Sequence, residues 1–431
     1  LLIGLWAVPA PAHDIPNEQV DRSIQATVYP GRLAVDYEVS LAELTLAQDL
    51  RRLVGVVPGA DRAELFDRYG REVGPLNAKG ILATVDGEAI DLRCLGFDLV
   101  VEGHPRYIFH LEVPLPARGH LVVHDTNYVE SKGTSRLAVR TLGGASIRGD
   151  DLPHDVSEIP IRPSWQLTDA EERRTRRAEV DFSSAPTTVA TSPAPRVTPT
   201  PVHRVAPASG LAGLLDRGFG LPLVIAAALA FGLGVAHTIQ PGHGKTLVAA
   251  AVAGGQGRPL DGVVLAVVTT IAHMATVLAV AAVLWLTRST RYEAWNVALA
   301  RVAGFAIATV GFWKLGRHLA GYGEHEVGDV EPSAPVGRGL LGLGLAGGLV
   351  PCWDAILLIA LAEASGRLPL GLILLLAFSL GMAAVLVAVG LTAARLRGLV
   401  ARRDPDSPWP RRLGLASGLA LAVIGLGSLA A

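Results

Sequence analysis

Two apolar stretches of this chain carry one glycine and proline frame: Gly232-Leu-Gly-Val-Ala-His-Thr-Ile-Gln-Pro241 and, in the same register further along, Gly342-Leu-Gly-Leu-Ala-Gly-Gly-Leu-Val-Pro351. A helix interrupted by glycine and proline leaves carbonyls without their ladder partners, and lipid offers no replacement. Such a break is tolerated only where it faces protein or a water-filled site. Equivalent breaks in the two halves of a membrane chain point to a substrate site between repeats. Behind each proline stand groups with chemistry, Gly242-His243-Gly244-Lys245-Thr246 in the first copy and Cys352-Trp353-Asp354 in the second.

Nearly all the long apolar runs follow Gly220, and they predict spans at about Leu221–Gly255, Leu260–Leu286, Asn296–Leu315, Gly339–Ala362, Leu370–Ala394 and Leu413–Ala431. Each is near or above the roughly twenty residues a bilayer requires. The loop between the last two spans carries Arg395, Arg397, Arg402, Arg403, Arg411 and Arg412, a cytoplasmic marker under the positive-inside rule. Counting back five spans places the N-terminal part outside. Three spans separate equivalent points of the repeat, so the second half enters the membrane upside down relative to the first.

The N-terminus argues for the same orientation from other residues. Leu1–Val8 is too short to span a bilayer and precedes Ala10-Pro11-Ala12, an A-x-A cleavage pattern, so residues 1–12 read as the remnant of a secretory signal. From His13 to about Phe182 short alternating runs, among them Ile24–Tyr29, Leu33–Val39, Phe97–Val101, Tyr107–Val113 and Leu121–His124, predict a mostly β domain. Helices are expected at about Asp61–Glu72 and Glu43–Leu53. A stretch rich in Pro, Thr and Ala, residues 183–210, reads as a linker, and residues 211–431 as the membrane domain. The expected fold is therefore an all-α polytopic bundle of about six helices with 3+3 inverted repeats, preceded by a mostly β extracytoplasmic domain.

The formal net charge of −1 gives no global basic field, so nucleic acid is not an expected partner. The two cysteines, Cys94 and Cys352, lie in different halves and define no disulfide framework. Lys245-Thr246 after a glycine-rich stretch invites comparison with a phosphate-binding loop. The comparison fails, because Ile239 stands where that motif has its first glycine and an apolar helix precedes it in place of a strand.

His237 and His243 flank the first break, and His273 lies within the second span. Ionisable groups at bilayer depth are costly and normally face a cavity or a partner. Imidazole suits late first-row divalent metals, and Cys352 and Asp354 would add a thiolate and a carboxylate to complete a mixed site at the midplane. His104, His110, His120 and His124 of the β domain are weaker candidates, since exposed strand histidines are common. No H-E-x-x-H pattern is present and no enzyme activity is expected.

His237-Thr-Ile-Gln-Pro-Gly-His-Gly-Lys-Thr246 resembles the H-A-x-x-P-G-H-G-K-T signature of the NicO-type nickel/cobalt efflux transporters, and Gly347-Gly-Leu-Val-Pro-Cys352 resembles their G-G-[LI]-x-P-C signature. The resemblance covers roughly the membrane half. It implies a multi-pass transporter of the bacterial inner membrane, metal-site roles for His237, His243 and His273, and Cys352 in the second motif. No cofactor is implied, because Ni²⁺ or Co²⁺ is the transported substrate; the partners are that metal ion and the lipid bilayer, with homo-oligomerisation left open. Trp353-Asp354 replaces the Pro-Ser that often follows the family cysteine, and the stretch from Gly316 to Arg338 holds only His318 and His325 where efflux members carry a histidine-rich loop. The alternatives are a transporter of another solute and a thiol or electron conduit. The latter needs paired cysteines, and Gly242 stands at the position matching Cys352.

Overall fold

The computed structural model describes residues 19–129, 131, 133–148, 152–162, 166–184, 202–206, 210–217, 222–239, 259–287, 292–319, 338–403 and 409–430. The expected signal remnant, most of the expected linker and the first-break residues Pro241, Gly242, His243 and Lys245 lie outside these. The chain divides into two compact units, Leu1–Pro207 and Ala208–Ala431.

The first unit is built on two sheets. One runs β11-β5-β6-β2-β1-β8 and the other β4-β3-β7-β10-β9. Their strands are β1 Val20–Tyr29, β2 Arg32–Leu41, β3 Ile81–Val85, β4 Glu88–Ile90, β5 Arg93–Val101, β6 Pro105–Pro114, β7 Arg118–Asp125, β8 Ser135–Thr141, β9 Ala145–Arg148, β10 Arg177–Ser184 and β11 His203–Val205. The five expected strand runs all fall within this set, because alternation of apolar and polar residues puts every second side chain inward. In β2, for instance, Leu33, Val35, Tyr37, Val39 and Leu41 are buried in turn. Turn chemistry fixes the register. Pro30-Gly31, with Gly31 at φ 82°, joins β1 to β2 so that Tyr29 faces Arg32. Asp86-Gly87, both at positive φ, close the β3–β4 hairpin in the manner of an Asp-Gly primed turn.

Helix α1 is Glu43–Leu53, as expected, while α2 runs over Arg62–Gly80, well beyond the expected end at Glu72. Asp61 caps it by accepting from the Glu64 N–H at 2.8 Å. Gly70, Gly74 and Pro75 argue for an earlier stop on propensity alone. Tertiary contact overrides them. A Cβ on Gly70 would run into the Phe97 ring, and one on Gly74 would lie 2.9 Å from the Cys94 sulfur, so the small residues let the helix lie flat on β5 and β6. Helix α3, Asp169–Arg176, buries none of its side chains and is held by a capping box between Thr168 and Glu171. It feeds directly into β10. The strand β11 falls in the stretch expected to be linker and pairs in parallel with β5.

The second unit is helical. It contains α4 Gly210–Arg217, α5 Leu223–Ile239, α6 Pro259–Thr287, α7 Tyr292–Leu319, α8 Arg338–Gly348, α9 Trp353–Ala364, α10 Leu368–Arg403 and α11 Trp409–Ala430. Among the described residues two segments are long and apolar enough to cross a membrane, Gly262–Leu286 and Leu368–Ala393, and the bent pair α8 and α9 makes a third if counted as one span. Shorter apolar helices cover Leu223–Thr238, Val297–Trp313 and Leu415–Leu429. Leu265, Ala266, Ile307, Leu343, Ala346, Leu386 and Leu421 form a core to which α6, α7, α8, α10 and α11 all contribute.

Small residues set how closely these helices approach, as expected where lipid supplies no hydrophobic drive between them. Gly234 of α5 sits on the Phe378 carbonyl of α10, and Gly381 on the Phe231 carbonyl. A Cβ on Gly344 of α8 would lie 2.8 Å from the Val268 side chain of α6, and one on Gly262 would lie 2.9 Å from the backbone of Gly390. Gly311 of α7 rests on Gly418 and Ala422 of α11.

Candidate metal centre

The second break is a real bend. Helix α8 ends at Gly348, Leu349–Cys352 carry no helical ladder, and α9 leaves at 60° to α8. Pro351 accounts for the stop, since it lacks an N–H and disfavours helical backbone at the residue before it. Cys352 then serves as the N-cap of α9, with φ −85° and ψ 134°, and its Sγ accepts from the Ala355 N–H at 3.4 Å. Asp354 stands in the first turn of the same helix. Both groups therefore sit at the positive end of the α9 dipole, the place in a helix that favours anionic side chains.

His237 reaches the same point from the other half of the unit. It lies in the last turn of α5, where its ring meets that of Phe378 at 5.4 Å between centroids, tilted by 58°. The close crossing of Gly234 and Gly381 brings α5 against α10 one turn earlier and fixes that position. The outcome is a cluster in which a His237 ring nitrogen, the Cys352 sulfur and an Asp354 carboxylate oxygen all lie within 4.8 Å of one another. Among the described residues no other group of three His, Cys, Asp or Glu donors has this spacing. Metal bonds of roughly 2.0–2.3 Å place tetrahedral ligands about 3.3–3.8 Å apart, so about 1 Å of side-chain movement closes the set on an ion. Cys352 is buried and Asp354 exposed, giving one sheltered and one accessible donor.

His273 stands apart from this cluster. It is buried on α6 with the Val350 backbone against its ring, and its Nε2 has no hydrogen-bond partner among the described residues. Gly348 packs beside it, since a Cβ there would lie 2.6 Å from the His273 backbone nitrogen. His243 lies outside the described residues. Phe378, which orients His237, was not foreseen from sequence; an aromatic in an apolar run carries no signal of its own.

In the first unit two of the candidate histidines, His110 and His120, are engaged with carboxylates. His110 has Nδ1 at 2.8 Å from Asp36 and Nε2 at 3.3 Å from Asp98. The hydrogen bond to Asp36 raises the His110 pKa above its ordinary value, against the opposing effect of burial. His120 bonds Asp181 at 2.8 Å across the β7–β10 pair. His124 lies on the same strand, half-buried, and pairs in register with Arg177.

No family model and no solved structure matches the chain. Curated proteins are similar to part of it. The nickel/cobalt efflux system RcnA of Escherichia coli O9:H4 is 28% identical over 44% of this chain and 85% of its own length. RcnA of Citrobacter koseri is 26% identical over 38% of this chain and 77% of its own length. The putative nickel/cobalt efflux system MJ1092 of Methanocaldococcus jannaschii is 31% identical over 205 residues, which span 47% of this chain and 92% of that protein. Since that match runs through nearly the whole of the archaeal protein, this chain belongs to the nickel/cobalt efflux system family.

Proposed function

We propose that the chain exports divalent nickel or cobalt across the inner membrane through a site formed where its two broken helices meet. The observation that carries this reading is the cluster of His237, Cys352 and Asp354. Two of these donors stand in the second half of the helical unit and the third in the first half, yet all three converge at helix ends. Nitrogen, sulfur and oxygen donors together suit late first-row divalent ions, whose selection rests on geometry as much as affinity. His243, just beyond His237 and part of the NicO-type signature, is a fourth donor in this reading, and His273 borders the site from α6.

The 3+3 inverted repeat draws support from the packing. Exchanging the halves turns the α5–α10 crossing into the α8–α6 crossing, and both are close helix pairs. At the first, Gly234 meets Phe378; at the second, Gly344 meets Val268. The step along the chain from Gly234 to Gly344 equals that from Val268 to Phe378, and both equal the step from Pro241 to Pro351. A pseudo-two-fold of this kind is the frame on which alternating access is built. The arginines near the α10–α11 connection favour a cytoplasmic face there and an extracytoplasmic β unit. The test is uptake of radioactive nickel or cobalt into inside-out vesicles, with and without an imposed pH gradient. Gradient-driven accumulation that disappears with Cys352→Ser is expected; absence of transition-metal uptake in the wild type would overturn the proposal.

A further inference from the structure

Hydroxyl groups in the helical unit follow a rule, with informative exceptions. Thr238, Thr270, Thr276, Thr309, Ser365, Thr392 and Ser428 each donate to the carbonyl four residues earlier, at 2.7–3.1 Å. This back-bond is the local way for a serine or threonine on a helix to satisfy its proton where no water is present. Thr269 and Ser379 decline it. Both residues are buried, at 5% and 3% exposure, and neither hydroxyl has a hydrogen-bond partner among the described residues. A buried polar group left in that state is costly, so it marks a place where a polar occupant belongs.

The two positions are related. Ser379 follows Thr269 by the same step that separates the two prolines and relates the two helix crossings. Each flanks one half of the donor cluster. Thr269 lies beneath the second break, because a Cβ on Gly348 would be 2.5 Å from the Thr269 carbonyl oxygen. Ser379 follows Phe378, whose ring contacts His237. One turn beyond Thr269 on α6, His273 presents its own buried, unpartnered Nε2. A further unpartnered hydroxyl, that of Ser417, lies on α11 next to Gly418, which meets Gly311 of α7, and shares none of this geometry.

Resting on the site proposed above, we infer that Thr269 and Ser379 form a symmetric pair of positioning residues, whose hydroxyl oxygens accept hydrogen bonds from waters still bound to the divalent cation as it passes to and from His237, Cys352 and Asp354. A cation held by three protein donors keeps water on its remaining positions, and those waters donate strongly because the metal polarises them. Two acceptors related by the repeat would serve the ion equally from either side. The pair then acts on transfer of the ion and leaves its binding to the three donors unchanged.

The test uses the full chain in proteoliposomes with Co²⁺ as probe, reading transport and binding separately. Thr269→Val combined with Ser379→Ala removes both acceptors with little change in volume. Transport should fall roughly ten-fold for each hydroxyl lost, the worth of one charge-assisted hydrogen bond. The cobalt–thiolate absorption of Cys352 and its midpoint in a Co²⁺ titration should stay as in the wild type. Thr269→Ser, which keeps the hydroxyl, should restore transport, and Thr270→Val, which removes a hydroxyl already satisfied by Ala266, should leave it intact. Wild-type transport by the double variant, or an equal loss in Thr270→Val, overturns the inference while leaving the metal site standing. Absence of any cobalt–thiolate band in the wild-type protein overturns the site and the inference with it.

Discussion

Replacing Asp354 by asparagine removes one charge from the donor cluster and keeps its shape. The cost can be bounded from the geometry. A dication seated between the His237 nitrogen and the Cys352 sulfur would lie within about 4.8 Å of the Asp354 oxygen, given the spacing of the three groups. At that distance two charges against one interact by about 1.7 kcal/mol in bulk water and about 7 kcal/mol at an effective dielectric of 20. Asp354 is exposed, so the upper figure overstates the gain, and part of what remains offsets the hydration that the carboxylate gives up. A net loss of about 2–3 kcal/mol follows, a weakening of roughly 30- to 150-fold in Kd. Competition between the purified protein and a chromophoric chelator for Ni²⁺ or Co²⁺ measures this directly. Asp354→Glu should recover most of the affinity, because it restores the charge on a flexible arm. An asparagine variant that binds as tightly as the wild type and melts at the same or a higher temperature would refute the reasoning: Asp354 would then be a helix-terminus carboxylate with no part in holding the ion.

Three further outcomes follow from other parts of the molecule. Gly234→Val should abolish transport, since its side chain meets the Phe378 carbonyl and forces α5 off α10, whereas Gly316→Ala, with open space around it, should leave transport unchanged. A fragment of the first unit ending at Pro207 should melt several degrees above one ending at Ser184; β11 and its flanks add the Val202 N–H to Asp98 bond at 2.7 Å, the Leu99 N–H to Val202 carbonyl bond at 2.9 Å and the Arg62 to Ala206 carbonyl bond at 2.9 Å, each worth about 1 kcal/mol. Equal melting would show β11 to be dispensable. The His110 pKa is raised in the folded state, so its contribution to stability is complete below the unfolded value of about 6.5 and is lost as pH rises through the folded value. Thermal melts of the wild type and His110→Gln should therefore diverge at acid pH and converge toward alkaline pH, and a gap that widens on raising the pH would contradict the assignment.

Legibility in the sequence followed the range of the forces involved. Alternation alone exposed β1, β2, β5, β6 and β7, because period two is a local property of the sequence; it persists even in β1, where Arg22–Val28 are buried on both faces. The end of α2 was hidden, since Gly74-Pro75 reads as a stop until Phe97, Cys94 and Phe109 are known to lie against it. Strand β10 follows a charged helix with no turn residue between Arg176 and Arg177, and β11 is only three residues long inside a stretch rich in proline and threonine. Neither announces itself without its neighbour in the sheet. The grouping of His237, Cys352 and Asp354 was more legible: glycine and proline mark the second break, and the rarity of His, Cys and Asp in apolar runs singles these residues out as candidates. What sequence could not separate was His273 from His237. Both are histidines in apolar helices, and only the path of α6 behind the second break places one of them outside the cluster.

X-ray absorption at the nickel edge of the metal-loaded protein tests the central claim, that two distant helix breaks join in holding a single ion. One sulfur scatterer at about 2.2–2.3 Å, with nitrogen and oxygen at about 2.0–2.1 Å, is the expected shell. The sulfur should vanish in Cys352→Ser, and the imidazole scattering should diminish in His237→Ala. A shell of nitrogen and oxygen alone in the wild type, or one that both substitutions leave unchanged, would show that the ion binds elsewhere.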